Sequence, residues 1–120
     1  MDKVVKEWFD QGVKDFDTAQ KLRELDKFND SAFYCQQASE KALKARLIFR
    51  TNSFPKIHDL TRLAKLVDAP KDIIKLCSIL NPAYIATRYP DSPKDYTKEE
   101  CEKLLVFCRE VLEWTKKSLV

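Results

Sequence analysis

The stretch SAFYCQQASEKALKARLIFR, residues 31–50, decides the fold. Small residues recur in it at alternating spacings of three and four: they are Cys35, Ala38, Ala42 and Ala45. This spacing forms a heptad-like seam along which two helices pack closely and nearly antiparallel. Larger apolar residues widen the seam: they are Phe33, Leu43, Leu47 and Phe49. The predicted polar side of the helix consists of Gln36, Gln37, Glu40, Lys41 and Lys44.

The whole chain is predicted to be all-α. It has one glycine in 120 residues and no long alternating runs of Val, Ile and Thr. It therefore lacks the residue patterns that usually form hairpins and strands. Apolar residues at helical spacing predict a first long helix over residues 3–26. Gly12 inside its apolar face predicts a close helix crossing. Asn29 and Asp30 are the expected caps of the second helix, which is predicted over residues 31–51.

Shorter helices are predicted beyond the second helix. A connection over residues 51–57, which contains Pro55, precedes a third helix over residues 59–67. Pro70 suits the first position of a fourth helix, because its missing N–H is not needed there. The Asn81-Pro82 pair ends that helix.

A proline-rich connection, with one helical turn around residues 83–87, leads to a long last helix. Thr97 and Glu100 form the Thr-x-x-Glu capping pattern at its start. The expected architecture is an up-and-down bundle of about five helices in a single domain, residues 1–120. Two long antiparallel N-terminal helices, two short helices and a long C-terminal helix make up this bundle.

Charge and hydropathy exclude several classes of protein. The net charge of +3 comes from 22 basic and 19 acidic residues, and this balance alone does not indicate a nucleic-acid binder. No apolar run approaches the ~20 residues needed to span a bilayer. The N-terminus also lacks the apolar stretch of a signal peptide. We therefore expect a cytoplasmic protein without a membrane partner.

The cysteines do not have the spacing of a metal site. Four cysteines are present without a CxxC pair, and the chain has one histidine. Cysteine packs well as a small apolar residue, so buried free thiols are expected. No metal and no cofactor are predicted.

Three motifs together resemble a known family. They are AFYCQQASEKALKARL at 32–47, FPKIHDLTRLAKL at 54–66 and YIATRYPD at 84–91. In this order and spacing they resemble the HEPN domain, over roughly residues 5–118. The resemblance implies a helical bundle, commonly a homodimer, often encoded beside a minimal nucleotidyltransferase in a toxin–antitoxin pair. It also implies nucleotide binding, as proposed for the family, or metal-independent ribonuclease activity, as in many members.

The ribonuclease signature of this family is an arginine, four to six intervening residues and a histidine. The only histidine is His58, and the three positions that would hold the arginine are occupied by Thr51, Asn52 and Ser53. Arg50 is one residue too far away, and no histidine follows Arg88. The leading prediction is therefore a non-catalytic, homodimeric interaction module that pairs with a nucleotidyltransferase and binds nucleotide or RNA. Two alternatives remain: a ribonuclease with an altered site built from His58 with Arg50 or Arg88, and a purely structural dimeric scaffold.

Candidate ligand-binding residues lie on the helix 2 basic face and in the TRYPD corner. Arg88 offers a planar fork for phosphate, and the tyrosines of this segment are able to stack on a base. The candidates are Lys41, Lys44, His58, Asp59, Arg88, Tyr89 and Asp91. The structural alternatives are an ordinary solvated lysine face, a His58–Asp59 helix start, and a corner in which Tyr89 packs on the bundle and Arg88 pairs with Asp91 or with a helix C-terminus.

Overall fold

Two long helices form the N-terminal half of the chain. The structure, a computed structural model, describes residues 2–53, 56–91 and 95–120. Helix α1 spans Lys3–Glu24 and helix α2 spans Phe28–Thr51. The turn between them contains Asp26 at a positive φ of 58°. The prediction of two long antiparallel helices is confirmed.

Four further elements complete the described part of the chain. They are α3 (Leu60–Leu66), α4 (Lys71–Leu80), the single turn α5 (Ala83–Ala86) and α6 (Lys98–Ser118). The predicted all-α bundle of about five helices is therefore confirmed, including the helical turn before the last helix. The expected helix break at Pro55 lies outside the described residues.

The helix starts agree with the sequence in some places and differ in others. Thr97 and Glu100 form the predicted capping box of α6. Helix α2, however, begins at Phe28 with Lys27 at the cap, so the predicted capping role of Asn29 and Asp30 is wrong. The Asn29 side chain has another function, because its Oδ1 accepts the Tyr96 N–H at 2.8 Å. This contact ties the start of α2 to the connection that precedes α6.

Helix α2 lies at the centre of the bundle and contacts every other described helix. Its seam of small residues is fully buried, as predicted. On one side α1 crosses it at Gly12, where a Cβ atom would lie 3.0 Å from the Ala38 carbonyl oxygen. On the other side α6 packs so that the Cys108 thiol donates to the Cys35 carbonyl at 3.3 Å. The predicted close helix crossing at Gly12 is confirmed.

The polar side predicted for α2 is largely wrong. Gln36, Glu40 and Lys44 are all buried, with exposed fractions of 7% or less. The physical reason is that α1, α3 and α5 also pack against α2, so that no broad side of this helix faces water. Only Gln37 and Lys41 of the predicted polar set are partly exposed.

All four cysteines are free and buried, as predicted. Burial raises the pKa of Cys77 to about 12, and the neighbouring Cys108 adds to this effect. The pKa of Cys35 is also raised, first by its hydrogen bond with Cys108 and then by burial. Residues 2–53, 56–91 and 95–120 contain no group of three metal-ligating side chains. Within the same ranges, every helix is too short or too polar to cross a bilayer.

Candidate functional site

His58 lies in the connection before α3, with its side chain about half exposed (52%). Its Nδ1 atom is 3.1 and 3.2 Å from the two carboxylate oxygens of Glu40 on α2. Its backbone carbonyl accepts the side-chain amide of Gln36, also on α2, at 3.1 Å. Two contacts therefore hold His58 against the central helix, although it belongs to an irregular segment.

Glu40 is the centre of a buried polar network. Its carboxylate forms an ion pair with Lys44 at 3.0 Å and accepts the Gln36 amide at 3.3 Å. The spacing of four residues puts these three side chains on one line along α2. Because the carboxylate accepts from both neighbours, we assign it as acceptor toward His58 as well, and Nδ1 carries the hydrogen. In the neutral imidazole, Nε2 of His58 is then an acceptor.

An aromatic stack extends from His58 into the TRYPD corner. The rings of His58 and Tyr84 are nearly parallel, with centroids 4.9 Å apart and an angle of 12° between their planes. The Arg88 guanidinium lies over the Tyr84 ring at 4.7 Å, a distance typical of a cation–π contact. Phe33 of α2 stacks on Tyr84 from 6.4 Å. Two of the predicted site residues, His58 and Arg88, are thus brought together by Tyr84.

A cleft of about 320 Å³ opens beside this stack. Its wall comes from the start of α3, the end of α4 and the turn α5: the lining residues are His58, Asp59, Ser78, Asn81, Pro82, Tyr84 and Ile85. Asp59 is the N-cap of α3, one position before the first turn in which it is predicted, and it accepts the Arg62 N–H. Asn81 donates to Asp59 at 3.1 Å and accepts the Leu60 N–H at 2.9 Å. These bonds fix the polar wall of the cleft.

The two predicted lysines have carboxylate partners. Lys41 forms an ion pair with the buried Asp15 of α1. Lys44 is buried and paired with Glu40. Both ammonium groups of the helix 2 basic face therefore form ion pairs within the bundle.

The remaining predicted residues are spread apart. Arg50 forms an ion pair with Asp68 at 2.7 Å, beyond the end of α3, and does not join His58. Tyr89 is 57% exposed, so the predicted packing of this ring on the bundle is wrong. Asp91 is exposed. The predicted Arg88–Asp91 pair is also wrong, because Arg88 lies over Tyr84 and no ion pair joins it to Asp91 in the described part of the chain.

The supporting residues of the site are not predicted from the sequence. Gln36 and Glu40 are expected on the polar side of α2, and Asn81 is expected only to end a helix. The available signal is the spacing of Gln36, Glu40 and Lys44, which aligns three polar side chains beside a seam of small residues. Such a line is able to form an internal network when a further element covers it.

The family of the chain follows from comparison with known proteins. A family model of the HEPN domain matches residues 5–119. The chain belongs to the HEPN family. Among solved structures, this HEPN chain is similar to TT1696 from Thermus thermophilus, with 28% identity, a TM-score of 0.88 and coverage of 96% of this chain and 98% of that one.

A second similar structure is that of ST0689, described as an archaeal HEPN homologue. It is 25% identical, has a TM-score of 0.84, and both chains are covered completely. A search of curated proteins found no match. The predicted resemblance to HEPN domains is therefore confirmed at the level of family and fold.

Proposed function

We propose that this HEPN domain is a non-catalytic, homodimeric interaction module that pairs with a minimal nucleotidyltransferase and binds nucleotide or RNA at the His58–Tyr84–Arg88 corner. The observation that carries the non-catalytic assignment is the place of Arg50, the arginine nearest to His58 in the preceding sequence. It is paired with Asp68 instead of facing the imidazole. The three signature positions hold Thr51, Asn52 and Ser53, none of which supplies a cation.

The stack supports the ligand-binding part of this proposal. The Tyr84 and His58 rings stack on one another, and stacking of a base on such aromatic rings is worth ~1–3 kcal/mol per base. Arg88 has no carboxylate partner among the described residues, so its guanidinium is available to a phosphate. The cleft beside the platform is within the usual size range of small-ligand sites.

Native mass spectrometry of the protein purified gently from its own cells tests the partner assignment. We expect a homodimer that carries a second chain of the size of a minimal nucleotidyltransferase. A monomer without a partner contradicts the assignment. The ligand part is tested separately by thermal shift with millimolar nucleotides, because a ligand at a hundredfold excess over its Kd stabilises by ~2.7 kcal/mol. No shift with any nucleotide or RNA would favour the purely structural scaffold.

One observation favours the alternative of a ribonuclease with an altered site. A carboxylate that orients an imidazole, as Glu40 does with His58, is also the arrangement of a general base. This alternative predicts RNA cleavage that survives EDTA, is abolished by His58→Ala and is reduced by Arg88→Ala. Arg50→Ala is the matched control and should keep the activity, because Arg50 is paired with Asp68. Such cleavage by correctly folded protein would overturn the non-catalytic proposal.

A further inference from the structure

The cleft beside Tyr84 presents more hydrogen-bond acceptors than donors. Asp59 uses Oδ1 for the Arg62 N–H and the Asn81 amide, which leaves Oδ2 as an acceptor. Ser78 donates its hydroxyl hydrogen to the Lys75 carbonyl at 2.6 Å, which leaves the oxygen as an acceptor. Together with Nε2 of the neutral His58 imidazole, three acceptors line this cleft. A ligand that fits them must bring hydrogen-bond donors.

The donors on the wall are few. Asn81 has one N–H left, because its other amide hydrogen donates to Asp59 and its oxygen accepts the Leu60 N–H. A phosphate needs several donors around its oxygens, and this wall does not offer them. The cleft therefore suits the base of a nucleotide better than its phosphates.

The charges near the cleft also disfavour a polyanion. Lys44 is neutralised by Glu40 and Arg50 by Asp68. Asp59 places a carboxylate on the wall itself. Arg88 and Arg62 are nearby guanidinium groups without a carboxylate partner among the described residues, and neither lines the cleft. Because no lysine or arginine lines the cleft, binding that depends on many phosphate contacts, with its steep salt dependence, is not expected there.

We propose that the cleft binds a nucleobase and selects a ring with an exocyclic amino group, with the phosphates contributing little. This inference rests on the proposed ligand-binding function and names its ligand class. The ring extends the Arg88–Tyr84–His58 stack, and its amino group donates to the acceptors of the wall. An exocyclic carbonyl at the same place would meet acceptors and leave them unpaired.

Two matched nucleoside pairs test the selection by isothermal titration calorimetry: adenosine against inosine, and cytidine against uridine. In each pair an exocyclic amino group is replaced by a carbonyl, and the neighbouring ring nitrogen changes from an acceptor into an N–H donor. We expect the amino-bearing nucleoside to bind about tenfold tighter, because the bound ring covers the wall, and the carbonyl-bearing ring would leave one covered acceptor without water or a donor. We expect AMP to bind within about threefold of adenosine, and the Kd to change less than about twofold between 50 and 300 mM NaCl.

Asp59→Asn is the sharpest variant, because asparagine still caps α3 and still offers an oxygen to Asn81. It converts Oδ2 from an acceptor into a donor, so the preference should move from adenosine toward inosine by about tenfold. Tyr84→Ala should weaken all nucleosides about tenfold through the lost stacking. Phe49→Ala is the control: its ring is 44% exposed on α2 and outside the cleft, and binding should not change.

Several outcomes would overturn the inference. Equal binding of adenosine and inosine, or an unchanged preference in a folded Asp59→Asn protein, contradicts the selection. Much tighter binding of ATP or of an RNA oligonucleotide, with a steep salt dependence, contradicts the role of the base but leaves the proposed nucleotide binding intact. No binding of any nucleoside or nucleotide contradicts both, while the partner assignment is decided independently by native mass spectrometry.

Discussion

Glu40 is the residue on which most of the candidate site depends. It is 4% exposed and contacts His58, Lys44 and Gln36. Lys44 is also buried, with its Nζ 5.7 Å from the centre of the Trp8 ring. A buried ammonium without a counter-ion is costly, because no water replaces the lost partner. The role of Glu40 is therefore to neutralise the buried Lys44 and to hold the half-exposed His58 ring against α2.

Replacing Glu40 should destabilise the protein strongly. We expect Glu40→Ala to lower the free energy of unfolding by ~3–5 kcal/mol, because it strands the Lys44 charge. Urea denaturation followed by circular dichroism measures this. Asp10→Ala is the matched control, since Lys6 and Asp10 have the same spacing but are 63% and 49% exposed, and the loss should stay below ~1 kcal/mol. Similar losses in both variants would contradict the assignment.

Cys77 makes stability depend on pH in the alkaline range. Its pKa is about 12 in the folded protein, above the ordinary value of 9.0, because burial disfavours the thiolate. The unfolded chain therefore releases this proton first. The stabilisation is complete below pH 9 and is lost as the pH rises toward 12.

The Cys77→Ala variant removes this titration. Between pH 9.5 and 10.5 we expect the wild-type free energy of unfolding to fall by about 1 kcal/mol more than that of the variant. All other titrating groups are shared, so they cancel in the comparison of slopes. Urea denaturation at a series of pH values provides the measurement, and parallel slopes would contradict the prediction.

At the scale of elements, the crossing of α1 and α2 depends on one missing side chain. A Cβ atom on Gly12 would lie 3.0 Å from the Ala38 oxygen and 3.4 Å from the Ala42 nitrogen, both backbone atoms of α2. Backbone in a packed helix does not move aside as a flexible side chain does. The distance between the two long helices is therefore set at this point.

Gly12→Ala has two opposing effects: the methyl group raises helix propensity, and it clashes with the backbone of α2. Alanine favours a helix by up to ~1 kcal/mol, whereas overpacking a core costs ~1–3 kcal/mol. We expect a net loss of about 1 kcal/mol or more in the free energy of unfolding. Val13→Ala is the control, because Val13 is 45% exposed on the same helix and should change stability little. A stabilised Gly12→Ala protein would mean that the helices are not in contact here.

At the scale of the whole molecule, the central position of α2 predicts unfolding in one step. Trp8 on α1 and Trp114 on α6 report on different sides of the bundle. In the Trp114→Phe variant the fluorescence reports on the surroundings of Trp8. In the Trp8→Phe variant it reports on the surroundings of Trp114. In each variant the fluorescence and circular dichroism transitions in urea should coincide. Separate transitions would contradict the prediction that residues 1–120 form one domain.

Helical periodicity is sufficient to predict most of the bundle from sequence. The seam around Ala38, the crossing at Gly12 and the capping box at Thr97 all depend on local spacing, which sequence displays directly. The burial of Glu40 is not predictable in this way. It results from α3 and α5 packing across α2, and such contacts between distant segments leave no periodic trace.

The candidate site is predictable only in part for the same reason. Residue type identifies His58 and Arg88, but their shared contact with Tyr84 depends on how two connections meet over α2. From the sequence alone Arg50 is an equally good candidate. In the structure it forms an ion pair with Asp68 and does not contact His58. Whether each arginine belongs to the site therefore depends on its side-chain partner and not on its residue type.

The contact between Cys108 and the Cys35 carbonyl joins residues that are far apart along the chain. During synthesis α1 and α2 leave the ribosome first, while one side of the small-residue seam still lacks its cover. The ribosome adds on the order of 5–20 residues per second, so this side of α2 remains uncovered for seconds until α6 has been synthesised. A nascent chain halted before α6 would expose that apolar side and become a natural target for chaperones.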